Sequence, residues 1–98
     1  MDKINIHTLN KDFENRVRLG IMSVLMVNDW INFNDMKSIL NITDGNLASH
    51  TNALESKSYI TVRKAFVGKK TETSYKITAV GKKAFSDHIT ALENLLKQ

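Results

Sequence analysis

One stretch, residues 43–57 (TDGNLASHTNALESK), constrains the fold most, because it predicts a short capped helix with one slim polar face. Thr43 suits the N-cap position, since its hydroxyl can accept a hydrogen bond from a free backbone N–H of the first turn. At 100° per residue, the inward face of this helix holds only Leu47, Thr51 and Leu54. The opposite side carries small or polar groups: Gly45, Ser49, Asn52, Ala53 and Ser56, with Asn46 and His50 on one flank. Such a helix can approach another surface closely.

A second short helix is expected immediately before it, over about residues 34–40. Asn32 or Asn34 can cap this helix, and Asn41-Ile42 forms a tight turn into the next one. Its inward residues are expected to be Phe33, Met36, Ile39 and Leu40. Two short helices joined by so few residues are typical of a helix-turn-helix, whose second helix enters the major groove of DNA.

Helical spacing also predicts a first helix over residues 10–28, with Asn10 as its N-cap and a later half that is apolar on almost every side. Residues 31–33 could form a very short strand, and residues 1–9 a flexible arm in which Ile4 and Ile6 pack against a neighbouring element. A final helix over residues 79–97 is expected to start at a Thr78 cap.

After Ser58 the hydrophobic period changes from helical to two, which indicates β-strands. The alternation predicts one strand from Ile60 to an inward Phe66 and a return strand over residues 73–77. Residues 67–72 would be the connecting loop, with Gly68 as its permissive residue. The chain therefore contains a β-hairpin directly after the helix-turn-helix.

Charge is concentrated on this hairpin. The whole chain carries a net charge of +4, but residues 57–83 hold eight basic groups against Glu72 alone. A block of this kind would attract a phosphate backbone. It is equally typical of a solvated hairpin whose lysines protect the strand edges. Charge alone leaves these two interpretations even.

Composition excludes several classes of protein. The chain has no cysteine, which rules out disulfides and cysteine-ligated zinc, and its three histidines (His7, His50 and His88) have no metal-ligand spacing. No apolar run approaches the roughly 20 residues of a membrane span, and the N-terminus lacks the apolar core of a signal peptide. No nucleophile–base pairing or Gly-rich phosphate loop is present. We expect a cytoplasmic protein that is not an enzyme and needs no cofactor or metal.

The order of these elements resembles the winged-helix DNA-binding regulators, and most closely the small bacterial stand-alone proteins related to the MarR and ArsR regulators. The likeness is carried by RVRLGIMSVL (16–25), FNDMKSILNITDGNLASHTNALESKSYI (33–60), GKKTETSYKIT (68–78) and GKKAF (81–85). It implies an α+β, mainly α fold, a winged helix-turn-helix with three helices, a hairpin wing and a long C-terminal helix in one domain over residues 1–98. Thr51 departs from the usual leucine, and Lys57-Ser58 from the common alanine-glycine.

DNA contacts are expected from the second helix of the motif and from the wing. Asn46, Ser49 and Asn52 are best placed to meet base edges, since Asn pairs bidentately with adenine. The resemblance suggests that His50 also contacts DNA, whereas the alternative is a boundary histidine bonded to a neighbouring element. The expected phosphate contacts lie at the end of this helix and on the wing, residues 63–73: Lys57, Arg63, Lys64, Lys69, Lys70, Thr71 and Thr73.

One domain of this size covers little DNA, so a two-fold dimer on a pseudo-palindromic site is expected. The predicted interface uses the apolar first helix and the last helix: Val17, Ile21, Phe85, Ile89, Leu92 and Leu96. The alternative is that these residues pack within one chain. The favoured function is a DNA-binding transcriptional regulator. The competing hypothesis is a winged helix used as a protein-interaction module. Nothing in the sequence indicates whether an effector exists.

Overall fold

The computed structural model describes residues 4–97, so residues 1–3 of the expected arm and residue 98 lie outside it. Two 3-10 turns, Ile6–Thr8 and Lys11–Phe13, precede the regular elements. In chain order these elements are α1 (Arg16–Val27), β1 (Ile31–Asn32), α2 (Phe33–Leu40), α3 (Asp44–Ser56), β2 (Ile60–Val67), β3 (Lys70–Ile77) and α4 (Ala79–Leu96). The three strands form one antiparallel sheet in the order β1-β3-β2. This is the winged helix-turn-helix that the sequence predicts.

Side-chain caps set the helix starts. Thr43 caps α3 and Thr78 caps α4, as predicted, and Asn32 caps α2. The first helix begins later than predicted. The side chain of Asn15 accepts from the backbone N–H groups of Val17 and Arg18, so Asn15 is the N-cap and the helix starts at Arg16. Asn10 instead caps the preceding 3-10 turn. The expectation of one continuous helix from residue 10 is therefore wrong.

One hydrophobic core joins the helices to one face of the sheet. Its buried members are Phe13, Ile21, Met22, Leu25, Met36, Leu47, Leu54, Ile60, Tyr75, Ile77 and Phe85. Three sets of apolar residues that were expected to pack inward do not: Ile39 on α2, Phe66 on β2, and Ile4 and Ile6 near the N-terminus are exposed. Hydrophobic period alone cannot detect that an element extends beyond the body it packs against.

The wing is longer and its turn tighter than predicted. Val67 pairs with Lys70 across the hairpin, which leaves only Gly68 and Lys69 in the turn instead of the expected loop over residues 67–72. Gly68 has φ +65°, a left-handed conformation that a two-residue hairpin turn requires and glycine adopts readily. Because Thr71 and Thr73 lie on β3, their side-chain directions are fixed by the strand register.

Close backbone contacts hold the start of α4 against Tyr59, in the segment that follows α3. Ser58 takes a left-handed conformation, φ 64°, where the resembling proteins commonly have glycine. Its chain neighbour Tyr59 presents its carbonyl oxygen to the backbone N–H of Thr78, 3.0 Å away. A Cβ added to Gly81 would lie only 2.1 Å from that same oxygen, so only glycine allows α4 to approach so closely.

Candidate nucleic-acid interface

The outer face of α3 is open to solvent. Thr43 Oγ1 accepts from the backbone N–H of Asn46 at 3.1 Å, and Leu47 and Leu54 anchor the helix in the core. Thr51 is also buried, and its hydroxyl donates to backbone oxygens within the helix, which satisfies it where leucine is usual. Gly45, Asn46, Ser49 and Asn52 are exposed. The slim polar face predicted for this helix is therefore available to a partner.

His50 lies at the edge of that face and is bonded to α1. Arg18 Nε donates to His50 Nδ1 at 3.0 Å, and the same guanidinium lies 3.8 Å from a carboxylate oxygen of Asp12. Burial, and secondarily the Arg18 charge, lower the pKa of His50 below 6.5. The structure thus shows the boundary histidine bonded to a neighbouring element. A DNA contact by His50 stays a prediction, and the role of Arg18 was missed because its partner lies 32 residues away in sequence.

A groove of about 600 Å³ separates α3 from the wing. Asn52 lies on its helical side, and Lys64 and Thr73, which pair across the two strands, lie on its wing side. The other lining residues are Phe33, Ala48, Thr51, Glu55, Val62 and Tyr75. Burial raises the pKa of the Tyr75 hydroxyl above its usual value. The flank of α3 that carries Asn52 and part of the basic wing therefore border one groove.

The wing has two unlike faces. Side chains alternate along β2, so Val62 and Lys64 face the groove while Arg63 points to the other side of the sheet. There the Arg63 guanidinium stacks 4.0 Å above the ring of Trp30, and Lys76 Nζ lies 5.9 Å from the same ring. The structure therefore does not bring Arg63 to α3. No local pattern indicates this contact, because Trp30 and Arg63 are far apart in sequence.

Within the described part of the chain, the remaining cations of the interface have no acidic partners. Elsewhere in residues 4–97, three lysines form ion pairs: Lys37 with Asp44, Lys76 with Asp29, and Lys83 with Asp87. Over residues 4–97 no carboxylate lies within 4.0 Å of the ammonium groups at the end of α3 and on the wing, which are those of Lys57, Lys64, Lys69 and Lys70. All four side chains are exposed, as is Thr71. They present uncompensated positive charge to solvent.

The six residues predicted for a dimer interface separate into two groups. Ile21 and Phe85 lie in the core of the single chain, with 0% and 4% of their surface exposed. Val17, Ile89 and Leu92 are half-buried, and Leu96 is exposed. Only this second group is accessible to another molecule.

Neither a metal site nor a membrane span is evident in the described part of the chain. Within residues 4–97, no three His, Asp or Glu side chains are grouped so that they could hold a metal ion. None of the helices there is both long and apolar enough to cross a bilayer.

A helix-turn-helix followed by a basic two-stranded wing defines a winged-helix protein, and comparison with known families agrees. Residues 17–96 match the family described as winged helix DNA-binding domain, and the chain belongs to that family. It is 34% identical over 87 residues to the uncharacterized protein MJ0432 of Methanocaldococcus jannaschii, an alignment that covers 89% of this chain and 95% of the relative.

Solved structures show the same fold. A transcriptional regulator homologue from Pyrococcus horikoshii superimposes with a TM-score of 0.81 at 28% identity, over 88% of this chain and 85% of that one. Bacillus subtilis PadR, solved in complex with operator DNA, gives a TM-score of 0.69 at 18% identity over 76% of this chain and 48% of its own. Staphylococcus aureus MepR, also solved with DNA, gives 0.74 at 14% identity over 91% and 73%. The last two establish likeness of fold alone.

Proposed function

We propose that this protein is a transcriptional regulator that binds double-stranded DNA with α3 in the major groove and the wing along the flanking backbone. The observation that carries the proposal is the common groove. Asn52 on the exposed polar face of α3 and the wing residues Lys64 and Thr73 border one opening, so a single polyanion can contact both elements.

The chemistry of the helix suits base edges better than phosphates. Asn46, Ser49 and Asn52 are exposed on α3, and the helix carries no arginine that could read guanine bidentately. Specificity should therefore rest on Asn–adenine pairing and on DNA shape. His50 is assigned a supporting role at the edge of this contact, where Arg18 holds its ring in place.

The basic groups supply affinity that does not depend on sequence. Lys57, Lys64, Lys69 and Lys70 are exposed and have no carboxylate partner among residues 4–97. Thr71 and Thr73 add hydroxyl donors beside them. Arg63 is the exception among the wing cations, because its stacking on Trp30 favours a bracing role over a phosphate contact. If about six phosphates are neutralised per subunit, the log–log dependence of affinity on salt should have a slope near −5.

We further propose that the protein binds a pseudo-palindromic site as a two-fold dimer, because one such domain reads few base pairs. The accessible apolar residues of the predicted interface, Val17, Ile89, Leu92 and Leu96, support contact through α1 and the end of α4. Leu96→Glu should shift the protein to monomer in analytical ultracentrifugation and weaken DNA binding. Val80→Glu, an exposed change at the opposite end of α4, should do neither.

Fluorescence anisotropy with labelled duplex DNA tests the function. A Lys69→Ala/Lys70→Ala variant should bind all duplexes more weakly and flatten the salt slope by about two. A Lys82→Ala/Lys83→Ala variant removes the same charge from α4 and should change binding far less. If the wild-type protein binds no duplex even at low salt, the regulator assignment fails and a protein-interaction module becomes the better hypothesis.

A further inference from the structure

Phe66 is an aromatic side chain that does not pack into the hydrophobic core. Its ring is 82% exposed near the tip of the wing, whereas every other Phe, Tyr and Trp of the chain is buried or half-buried. The hydrophobic effect favours burial of a phenyl ring, so folding gains little from this one. An exposed ring on a protruding hairpin is a feature of the surface rather than of the core.

The strand register sets the direction of the ring. Phe66 lies two residues beyond Lys64 on β2, and side chains two apart share one face of the sheet. Lys64 lines the groove beside α3, and Phe66 pairs across the hairpin with Thr71. The ring therefore continues the groove-facing side of the wing outward, about 7 Å beyond Lys64.

The groups around the ring suit a partner that combines negative charge with an apolar surface. Lys64 on the same face and Lys69 and Lys70 at the turn carry charges without carboxylate partners in the described residues. A duplex offers phosphates for these cations and stacked bases for the ring. An anionic bilayer also combines negative charge with apolar groups, but it offers no base edges that the polar face of α3 could contact.

We propose that Phe66 is a wedge that enters the minor groove next to the α3 contact and partly unstacks one base step. Apolar side chains inserted in this way kink the duplex, and the deformation is easiest at pyrimidine–purine steps such as TA and CA. Phe66 thereby gives the protein a preference for a flexible step flanking each half-site. This inference rests on the proposed function and adds a specificity determinant to it.

The first test compares sites selected from random-sequence duplex DNA by the wild-type protein and by Phe66→Ala. Wild-type sites should contain a TA or CA step at a fixed distance outside the bases chosen by α3, with about fivefold or stronger preference over a stiff AA step. Phe66→Ala should keep the central bases and lose the flanking step. Val67→Ala, on the opposite wing face and also exposed, is the matched control and should select as the wild type does.

The second test places 2-aminopurine at the flanking step of a selected duplex. Unstacking should raise its fluorescence when wild-type protein or Val67→Ala binds, but not when Phe66→Ala binds at equal occupancy. If Phe66→Ala selects the same flanks and gives the same signal, the wedge is refuted while DNA binding by α3 and the lysines stands. Loss of binding to phosphatidylserine vesicles with unchanged DNA selection would assign Phe66 to a membrane instead. If no duplex binds any variant, the proposed function itself fails.

Discussion

Gly81→Ala tests how α4 is attached to the rest of the domain. Gly81 lies in the first turn of α4, where alanine is the better helix former by about 1 kcal/mol. In the structure, however, the new Cβ would lie 2.1 Å from the carbonyl oxygen of Tyr59 and 2.9 Å from its carbonyl carbon. These are backbone atoms and cannot turn away as a side chain would.

The expected cost follows from this geometry. The Cβ and the oxygen must separate by roughly 0.9 Å to reach 3.0 Å, the shortest distance real Cβ atoms show. Overpacking of this kind costs about 1–3 kcal/mol. The Tyr59 oxygen also accepts from Thr78 N at 3.0 Å and from Thr78 Oγ1 at 3.1 Å, and disturbing these bonds adds about 1 kcal/mol each. After the gain in helix propensity, we expect a net loss of about 3 kcal/mol.

Urea and thermal denaturation, both followed by circular dichroism, measure the change in the free energy of unfolding and in the thermal midpoint. A loss of this size should lower the thermal midpoint by about 12–24 °C in a domain of this length. Gly45→Ala is the matched control, because it lies in the first turn of α3 with no atom within 4 Å of the added Cβ. It should stabilise the protein by about 0.5–1 kcal/mol. Equal stability of Gly81→Ala and the wild type would refute the close approach of α4 to Tyr59.

Three further predictions concern the interface and the core. Asn46→Ala should relax the preference for adenine at one position by about fivefold or more, measured by competition between duplexes, and leave the salt slope unchanged. Burial lowers the pKa of His88, an effect partly opposed by Glu14, and its Nδ1 accepts from Asn10 N at 3.0 Å. Stability should therefore be full above pH 6.5 and fall as the pH drops through the lowered pKa, and His88→Gln should flatten the decline in the thermal midpoint from about pH 7.5 to about pH 5. Trp30 is the single tryptophan, so Arg63→Ala should red-shift its emission, while Lys64→Ala should weaken DNA binding without that shift; identical spectra for the Arg63 variant would contradict the stacking.

Local signals in the sequence determined the element types and two of the helix starts. Thr43 and Thr78 are caps because a hydroxyl just before a helical pattern can satisfy a free backbone N–H of the first turn. The change from helical to alternating period located the wing. The inward set of α3 and its slim outer face also follow from position along one helix, without knowledge of what packs on it.

The contacts between elements that are distant in sequence could be known only from the tertiary structure. Arg63 and Lys64 are adjacent and both cationic, yet Arg63 stacks on the distant Trp30 whereas Lys64 borders the groove beside α3. Phe66 follows the inward pattern of its strand but is exposed, since the wing extends past the core that would cover it. The sequence did not indicate a partner for His88, whose Nδ1 accepts a hydrogen bond from the backbone N–H of Asn10. Residue type and period describe one element at a time, whereas contacts between elements depend on where the chain brings them together in space.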